Sequence, residues 1–433
     1  MKGLKRLSAL LILAAMVLSL AACGGSTASS GTASSSDAAG SGESSSASSA
    51  AEGFAPALDT DIQATLTVVG SWGNFEALDQ AAVDFKEYYP NVEVVYAKLS
   101  DYRSDLANRF ATGEEIDLFM TDWWDADYAP CQNIIDNAED LNESGIDFSN
   151  LRSDMLVTGN VDGKQVLVPI YLQICGYMVN LDLLEKAGVD VPSGREEVMA
   201  ACEKLAAAGY EKPIYISSAG YGRAFEGRYM EHRVGGSDEM TALEETIAEM
   251  DELYASGYVN DEGNTLEDGY NAMIMRFFEG DIPMQAFYAS NFSGTKKREA
   301  KSEAFTANPF RYTLIPAVGE DGRGFINQLG TLYMGIYKDT PNRELADEFL
   351  RFLLTDKEMA VLQSIKNMPT ANVNNGLDGF AYLKAAELYS TADEERITAA
   401  DEEHTLDTLG SYVPGGDHAA MFEKMTEKME QFQ

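Results

Sequence analysis

Apolar and polar positions between Thr65 and Trp124 alternate in blocks that predict strand, helix, strand, helix, strand. Leu66, Val68 and Val69 form a short apolar run that stops at Gly70-Ser71-Trp72-Gly73-Asn74. Leu78, Ala82, Phe85 and Tyr89 then fall at i, i+4, i+7 and i+11, on one face of a helix. Asn74 suits an N-cap, Glu76 puts negative charge in the first turn, and Pro90 stops the helix. Val92, Val94 and Val95 predict a second strand, Asp101 to Ala111 an amphipathic helix closed by Gly113, and Ile116 to Met120 a third strand. Strands alternating with helices imply an α/β fold with a parallel sheet, whose ligands bind beyond the carboxyl ends of the strands. Two of those ends carry tryptophan beside polar groups, at Trp72 to Asn74 and at Asp122-Trp123-Trp124, and half of a binding site is expected there.

Further along, Tyr128 to Ala138 reads as a helix, and Val166 to Leu172, Ile174 and Tyr177 to Asn180 read as strand pieces. Asn180 caps a helix from Leu181 to Ala187 that Gly188 stops, and another helix runs from Arg195 to Ala208. Pro213 to Ile216 is a short strand. Ser217 to Tyr229, rich in glycine and aromatics, shows no period and reads as irregular. Helices follow at Asp238 to Ser256 and Asn271 to Glu279, then a strand that ends at Tyr288 and Ala289-Ser290-Asn291-Phe292. Tyr312 to Ile315 and Thr331 to Tyr337 predict strands, and Glu344 to Leu354 and Asp356 to Ile365 predict helices. The remainder reads as mostly helical, with a loop at Tyr412 to Gly416.

The first 22 residues read as a signal peptide: Lys2, Lys5 and Arg6 precede an apolar stretch, Leu7 to Leu20, too short to span a bilayer comfortably. Leu20-Ala21-Ala22-Cys23 resembles a bacterial lipoprotein box, which makes Cys23 the lipid-modified first residue of the mature chain; the alternative is an ordinary secretory cleavage site. Gly24 to Glu52 is almost entirely Ser, Ala, Gly and Thr and reads as part of a flexible tether over residues 23–58. Net charge is −38, or −41 once the three cations of the signal are removed, which disfavours nucleic acid and strongly anionic ligands. Cys131, Cys175 and Cys202 have no regular spacing, so no disulfide framework is expected, and Cys175 and Cys202 read as small buried hydrophobes. The scattered His232, His404 and His418 indicate neither a metal site nor a triad, and no cofactor is expected.

Several stretches together resemble the extracellular solute-binding proteins of carbohydrate ABC importers, the family that includes maltose-binding protein. They are the opening strand, Trp72 and helix ending in Tyr89-Pro90; Phe110-Ala111-Thr112-Gly113 leading to Ile116-Asp117-Leu118; Pro169 with Tyr177 to Leu184; Phe278 to Met284; and Pro341 to Thr355. The resemblance implies a two-lobe fold of the type II periplasmic-binding-protein kind, with a hinge crossed more than once and a ligand in the cleft. It implies a first crossing near Pro169 to Gln173, a second near Asn308 to Pro316 and a third after Leu354. The lobes would be 59–170 with 314–358, and 171–313 with 359–433. It further implies a lipid-anchored monomer on the extracytoplasmic face that captures a sugar or oligosaccharide and delivers it to a membrane permease.

A pyranose offers apolar C–H faces and a rim of hydroxyls, which aromatic rings, carboxylates and amides match. Candidate ligand contacts are therefore Trp72, Asn74, Glu76, Asp122, Trp123, Trp124, Tyr171, Gln173, Tyr221, Arg223, Tyr288, Asn291, Gln328 and Tyr412. Asp122 and Tyr288 stand here partly because the resemblance aligns them with ligand-contacting positions. Asn74 and Glu76 equally serve the helix start, Tyr171 equally suits hinge packing, and one of Trp123 and Trp124 belongs to the core. A secreted glycoside hydrolase is the alternative from another class, but no stretch places the carboxylate pair, about 5–10 Å apart, that such an enzyme needs. A binding protein for a polyol phosphate, vitamin or peptide, or a sensor subunit, are the alternatives within binding.

Overall fold

The backbone ladder of two long strands organises the chain. A computed structural model describes residues 53–71, 76–121, 131–193, 195–216, 221–262, 269–293, 295–317, 323–390, 405 and 407–431. In chain order the strands are β1 (Ala64–Gly70), β2 (Val92–Lys98), β3 (Leu118–Thr121), the hairpin pair β4 (Asn160–Val161) and β5 (Lys164–Gln165), β6 (Val168–Asn180), β7 (Ile214–Tyr215), β8 (Val259–Asn260), β9 (Met284–Tyr288), β10 (Tyr312–Pro316), β11 (Arg323–Ile336) and β12 (Glu387–Tyr389). The helices are α1 (Glu76–Phe85), α2 (Tyr102–Thr112), α3 (Gln132–Asn137), α4 (Ser153–Thr158), α5 (Leu181–Ala187), α6 (Arg195–Ala207), α7 (Tyr221–Gly235), α8 (Glu239–Ala255), α9 (Gly269–Phe277), α10 (Thr295–Lys301), α11 (Glu303–Ala307), α12 (Arg343–Leu353), α13 (Asp356–Lys366), α14 (Ala381–Ala385) and α15 (Ala419–Gln431).

Local chemistry sets several boundaries as the sequence predicts. The Asn180 side chain accepts a hydrogen bond from the Leu183 amide at 3.1 Å and starts α5. Gly113 and Gly188, both at φ 68°, end α2 and α5 in the left-handed region that favours glycine.

The main sheet runs β2-β1-β3-β11-β6-β9-β7-β8, with β10 on β6 and β12 on β11. It is mixed, where strand–helix alternation alone predicts a parallel sheet. β1 is parallel to β2 and β3, and β7 is parallel to β8 and β9. Between these two sets lie β6 and β11, antiparallel to each other; β11 is antiparallel to β3 and parallel to β12, and β6 is antiparallel to β9 and β10. The three apolar pieces read between Val166 and Asn180 form one strand from Val168 on, because Gln173 and Gly176 interrupt the apolar pattern but not the ladder. Gly176 has to be glycine: an added Cβ would stand 2.1 Å from the Ile315 carbonyl oxygen. β10 and β9 pair with the later part of β6, from Cys175 on, and β11 with its earlier part, from Val168 to Ile174, so β6 carries pairings of both halves, while β11 joins it to β3.

Where β11 shifts register, between Asn327 and Leu332, it supplies no regular partner for the middle of β6. Another part of the chain does. The Leu172 amide donates to the Pro369 carbonyl at 2.9 Å, and the Ala371 amide donates to Ile170 at 3.0 Å. Buried amides and carbonyls are thus paired at the point where the sheet changes partners. This segment begins a stretch of turns, with α14 and β12, from residue 369 to 390, where the sequence reads as mostly helical.

Two apolar cores flank the sheet. One gathers β1, β3, α1, α12 and α13 through Leu66, Val68, Phe85, Phe119 and Phe349, and continues under Phe277 and Phe278. The other lies under α6, α7 and α8 through Cys202, Leu205, Tyr229 and Met250. Met178 of β6 faces the first while Tyr177 and Val179 face the second, the two-residue alternation of a strand covered on both faces. Packed residues begin at Phe54, ahead of Asp59. Its ring meets Tyr88 at 4.9 Å and Phe352 at 5.2 Å, and the Ala57 amide donates to Glu348 at 2.8 Å. Among the described residues no helix is long and apolar enough to cross a membrane.

Glu358, on α13 where it packs against α1, is fully buried with no hydrogen-bond partner for either carboxyl oxygen. Burial raises its pKa from 4.5 to about 7; Asp84 and Glu87 add to the rise and Lys357 opposes it. Between those values the folded chain keeps a proton that the unfolded chain has released, so this contribution is full below pH 4.5 and is lost as pH rises through 7. Replacing Glu358 with Gln should flatten that slope and raise unfolding free energy at about pH 8 by roughly 1–3 kcal/mol, read by urea denaturation at several pH values.

Candidate functional site

Strand register marks the candidate site. β3 ends at Thr121, which lies opposite Tyr333 of β11. β9 ends at Tyr288, which lies opposite Cys175 of β6. β1 runs parallel to β3 and β7 parallel to β9, so the carboxyl ends of both parallel sets point toward the middle of β6 and β11, from opposite sides. Such ends are where open α/β sheets take ligands.

Contacts across this middle confirm the arrangement. Glu76 opens α1, just after β1; Lys297 lies in α10, after β9, and its ammonium pairs with the Glu76 carboxylate. Lys366, nearly buried in α13, reaches the same carboxylate at 3.4 Å, and burial with Lys297 nearby lowers its pKa. The Asn367 side chain, just past the end of α13, donates to the Thr295 hydroxyl at the start of α10 at 3.3 Å. Glu76, read from sequence as a ligand contact or a helix-start charge, is engaged by two lysines.

Beneath these ends lies a buried polar layer. Glu226 of α7 is 0 % exposed. Its carboxylate accepts from the Tyr288 hydroxyl at 2.7 Å, from the Cys175 thiol at 3.3 Å and from the Asn327 amide. Nearby, the Asn291 side chain accepts from the Tyr288 backbone amide at 3.1 Å, shaping the turn after β9. The Thr331 hydroxyl donates to the Asn327 backbone carbonyl at 2.9 Å and accepts from the Gln173 backbone amide at 3.3 Å, bridging the β11 register shift. Gln173, Tyr288 and Asn291 therefore meet at one place, as candidates from three separate sequence stretches.

The helix carrying Glu226 falls where the sequence reads as irregular. Its buried positions mix Phe225, Tyr229 and Met230 with Glu226, Arg228 and Arg233, so no clean apolar period is visible. Gly227 lets it lie close on β11: an added Cβ would stand 3.3 Å from the Cβ of Phe325. Arg228 binds Glu249 of α8 at 2.7 and 2.8 Å, anchoring the helix on its outer side.

The backbone puts Tyr221 and Arg223 in the first turn of α7 and Gln328 at the β11 register shift. Trp72, Asn74, Asp122, Trp123 and Trp124 lie outside the described residues, directly after the ends of β1 and β3. Two other candidates are committed to packing. Tyr171 is fully buried in the first core and donates its hydroxyl to the Leu362 carbonyl at 3.1 Å. Tyr412 belongs to the second core, stacks on His418 at 5.2 Å and donates to Asp251 at 2.6 Å. Sequence reasoning missed Glu226, Asn327, Thr331, Lys297 and Lys366. A lone acid among Phe225, Gly227 and Tyr229 was the available signal for Glu226.

Because Lys297 is largely exposed, its pair with Glu76 is screened by solvent. Lys297→Ala should change stability by under about 1 kcal/mol, and that difference should vanish at about 1 M salt, as followed by urea melts.

The sequence model of a family described as "Bacterial extracellular solute-binding protein" matches residues 70–360. Several solved structures share the fold. The GacH receptor of Streptomyces glaucescens, solved unliganded and with acarbose, matches at 16% identity and TM-score 0.63, covering 86% of this chain and 99% of its own. RafE of Streptococcus pneumoniae matches at 17% identity and TM-score 0.64, over 86% of this chain and 98% of its own, and RafE is also solved with raffinose. The sugar-binding protein MalE of Xanthomonas citri matches at 16% and 0.63, over 85% and 97%. In the comparison with curated proteins, none matched.

Proposed function

Because the chain belongs to the bacterial extracellular solute-binding proteins, we propose that it captures a sugar or oligosaccharide between its two lobes, releases it unchanged and delivers it to the permease of an ABC importer. One observation carries the reading: the carboxyl ends of β1 and β3 on one side and of β7 and β9 on the other point toward the middle of β6 and β11, where Glu226, Tyr288 and Asn327 form a polar cluster. The named ligands of the structural neighbours, acarbose and raffinose, support a saccharide. The aromatic and polar residues at the strand ends suit one as well: Trp72, Trp123, Trp124, Tyr221 and Tyr288 as ring platforms, and Asn74, Asp122, Gln173, Arg223, Asn291 and Gln328 around the hydroxyl rim.

In this reading the lobes divide where β6 passes Leu172 and β11 passes Asn327 to Leu332. A ligand touching both lobes gains contacts only when they close, so it shifts the population to the closed form, which the permease reads. A lipid on Cys23 and the Ser/Ala/Gly tether keep the domain near that permease.

Purified mature protein should melt at higher temperature with its cognate saccharide. At ligand one hundred times Kd the gain is about 2.7 kcal/mol of stability. No shift across mono-, di- and oligosaccharides, or a sugar recovered hydrolysed, would overturn the proposal. Replacing Cys23 with Ser should move the full-length protein from the membrane pellet to the soluble fraction in cell fractionation.

A further inference from the structure

We infer that Glu226 is a positioning residue for ligand capture: its carboxylate, sealed behind the floor of the groove, fixes Tyr288 and Asn327 and so presets the surface that the ligand meets. The inference rests on the groove being the solute site. Glu226 itself is fully buried and has no exposed surface to offer a ligand. Three of its partners lie on three different strands: Cys175 on β6, Tyr288 on β9 and Asn327 on β11.

Each of these contacts arrives from a donor, so the carboxylate satisfies them as an acceptor on both oxygens. Burying a carboxylate is costly, and a well-packed apolar side chain in its place is often no less stable. A carboxylate at this spot therefore makes sense through what it orients.

The orientation has two consequences. Tyr288 is 7 % exposed and packs in the second core, and with its hydroxyl bonded to Glu226 its side chain is held by its tip as well as by its strand, so whatever edge of the ring a ligand reaches is fixed in place and the hydroxyl is already engaged. Asn327 is the last paired residue of β11 before its register shift, and Gln328 follows directly. The same carboxylate thus holds the end of the far half of the sheet at the point where the chain passes to the near half. Preorganised groups of this kind raise affinity by lowering the ordering cost on binding.

The test uses Glu226→Gln, Tyr288→Phe and the double variant in the mature protein, with the saccharide that gives the largest thermal shift on the parent. The glutamine keeps the shape, but its NH2 end faces donors. Affinity by calorimetry, measured well below each variant's melting temperature, should weaken about tenfold or more for Glu226→Gln. Tyr288→Phe should reproduce much of that loss. The double variant should be little worse than the weaker-binding single one, because both remove the same link.

Phe85→Ala, which deletes a core ring away from the groove, serves as the stability control. It should lower the melting temperature without changing affinity. If Glu226→Gln instead loses stability while affinity stays at the parental value, the inference is overturned and the residue is a core strut only. Additive losses in the double variant would overturn it too. A parent that binds no saccharide would overturn the functional reading itself, which is a separate outcome.

Discussion

The antiparallel pairing of β6 with β11 is the constraint on which the rest of the architecture depends. Each strand serves both halves of the sheet, so neither half can form its ladder without them. Their pairing is regular on either side of the middle and irregular within it, from Asn327 to Leu332. Such a break leaves backbone groups that must find partners elsewhere. The Thr331 hydroxyl and the segment from Pro369 to Ala371 provide them. Three stretches of chain thus meet at one seam, with a defined hydrogen-bonding state and without the continuous ladder that would stiffen it.

This seam is also where the chain concentrates buried polarity. The cores on either side are built mainly from apolar side chains, Leu66, Phe85 and Phe349 in one and Leu205, Tyr229 and Met250 in the other. Between them, Glu226, Asn327, Thr331 and Gln173 are buried and hydrogen-bonded to one another's strands. Polar networks in a low-dielectric setting tolerate few arrangements, so they define geometry more sharply than apolar contacts of equal area. A binding protein needs that definition at its floor, where rings and amides must already be in position when a ligand arrives. The Glu76–Lys297 pair between α1 and α10 is of another kind: Lys297 is exposed, and solvent screens the pair.

The strand–helix alternation, the Asn180 and Gly188 caps, the buried cysteines and the aromatic-polar strand ends could all be read from residue order. These features are local: a cap or an amphipathic stripe is decided within a turn or two of chain. Local reasoning also marked Gln173, Tyr288 and Asn291, because polar residues at the end of an apolar run stand out. It failed at α7, where inward positions are as polar as outward ones, and at β6, where a single long strand was cut by Gln173 and Gly176.

By itself, then, the order of residues determined that this is an α/β chain whose strands end in aromatic and polar residues. Only the tertiary structure decided that two strands are shared between the halves, that Tyr171 and Tyr412 pack inward, and that Glu226 joins β6, β9 and β11. The reason is distance along the chain. Cys175, Glu226, Tyr288 and Asn327 meet through the pairing of strands far apart in sequence, and no periodicity within any one of those segments records which other segment will lie beside it.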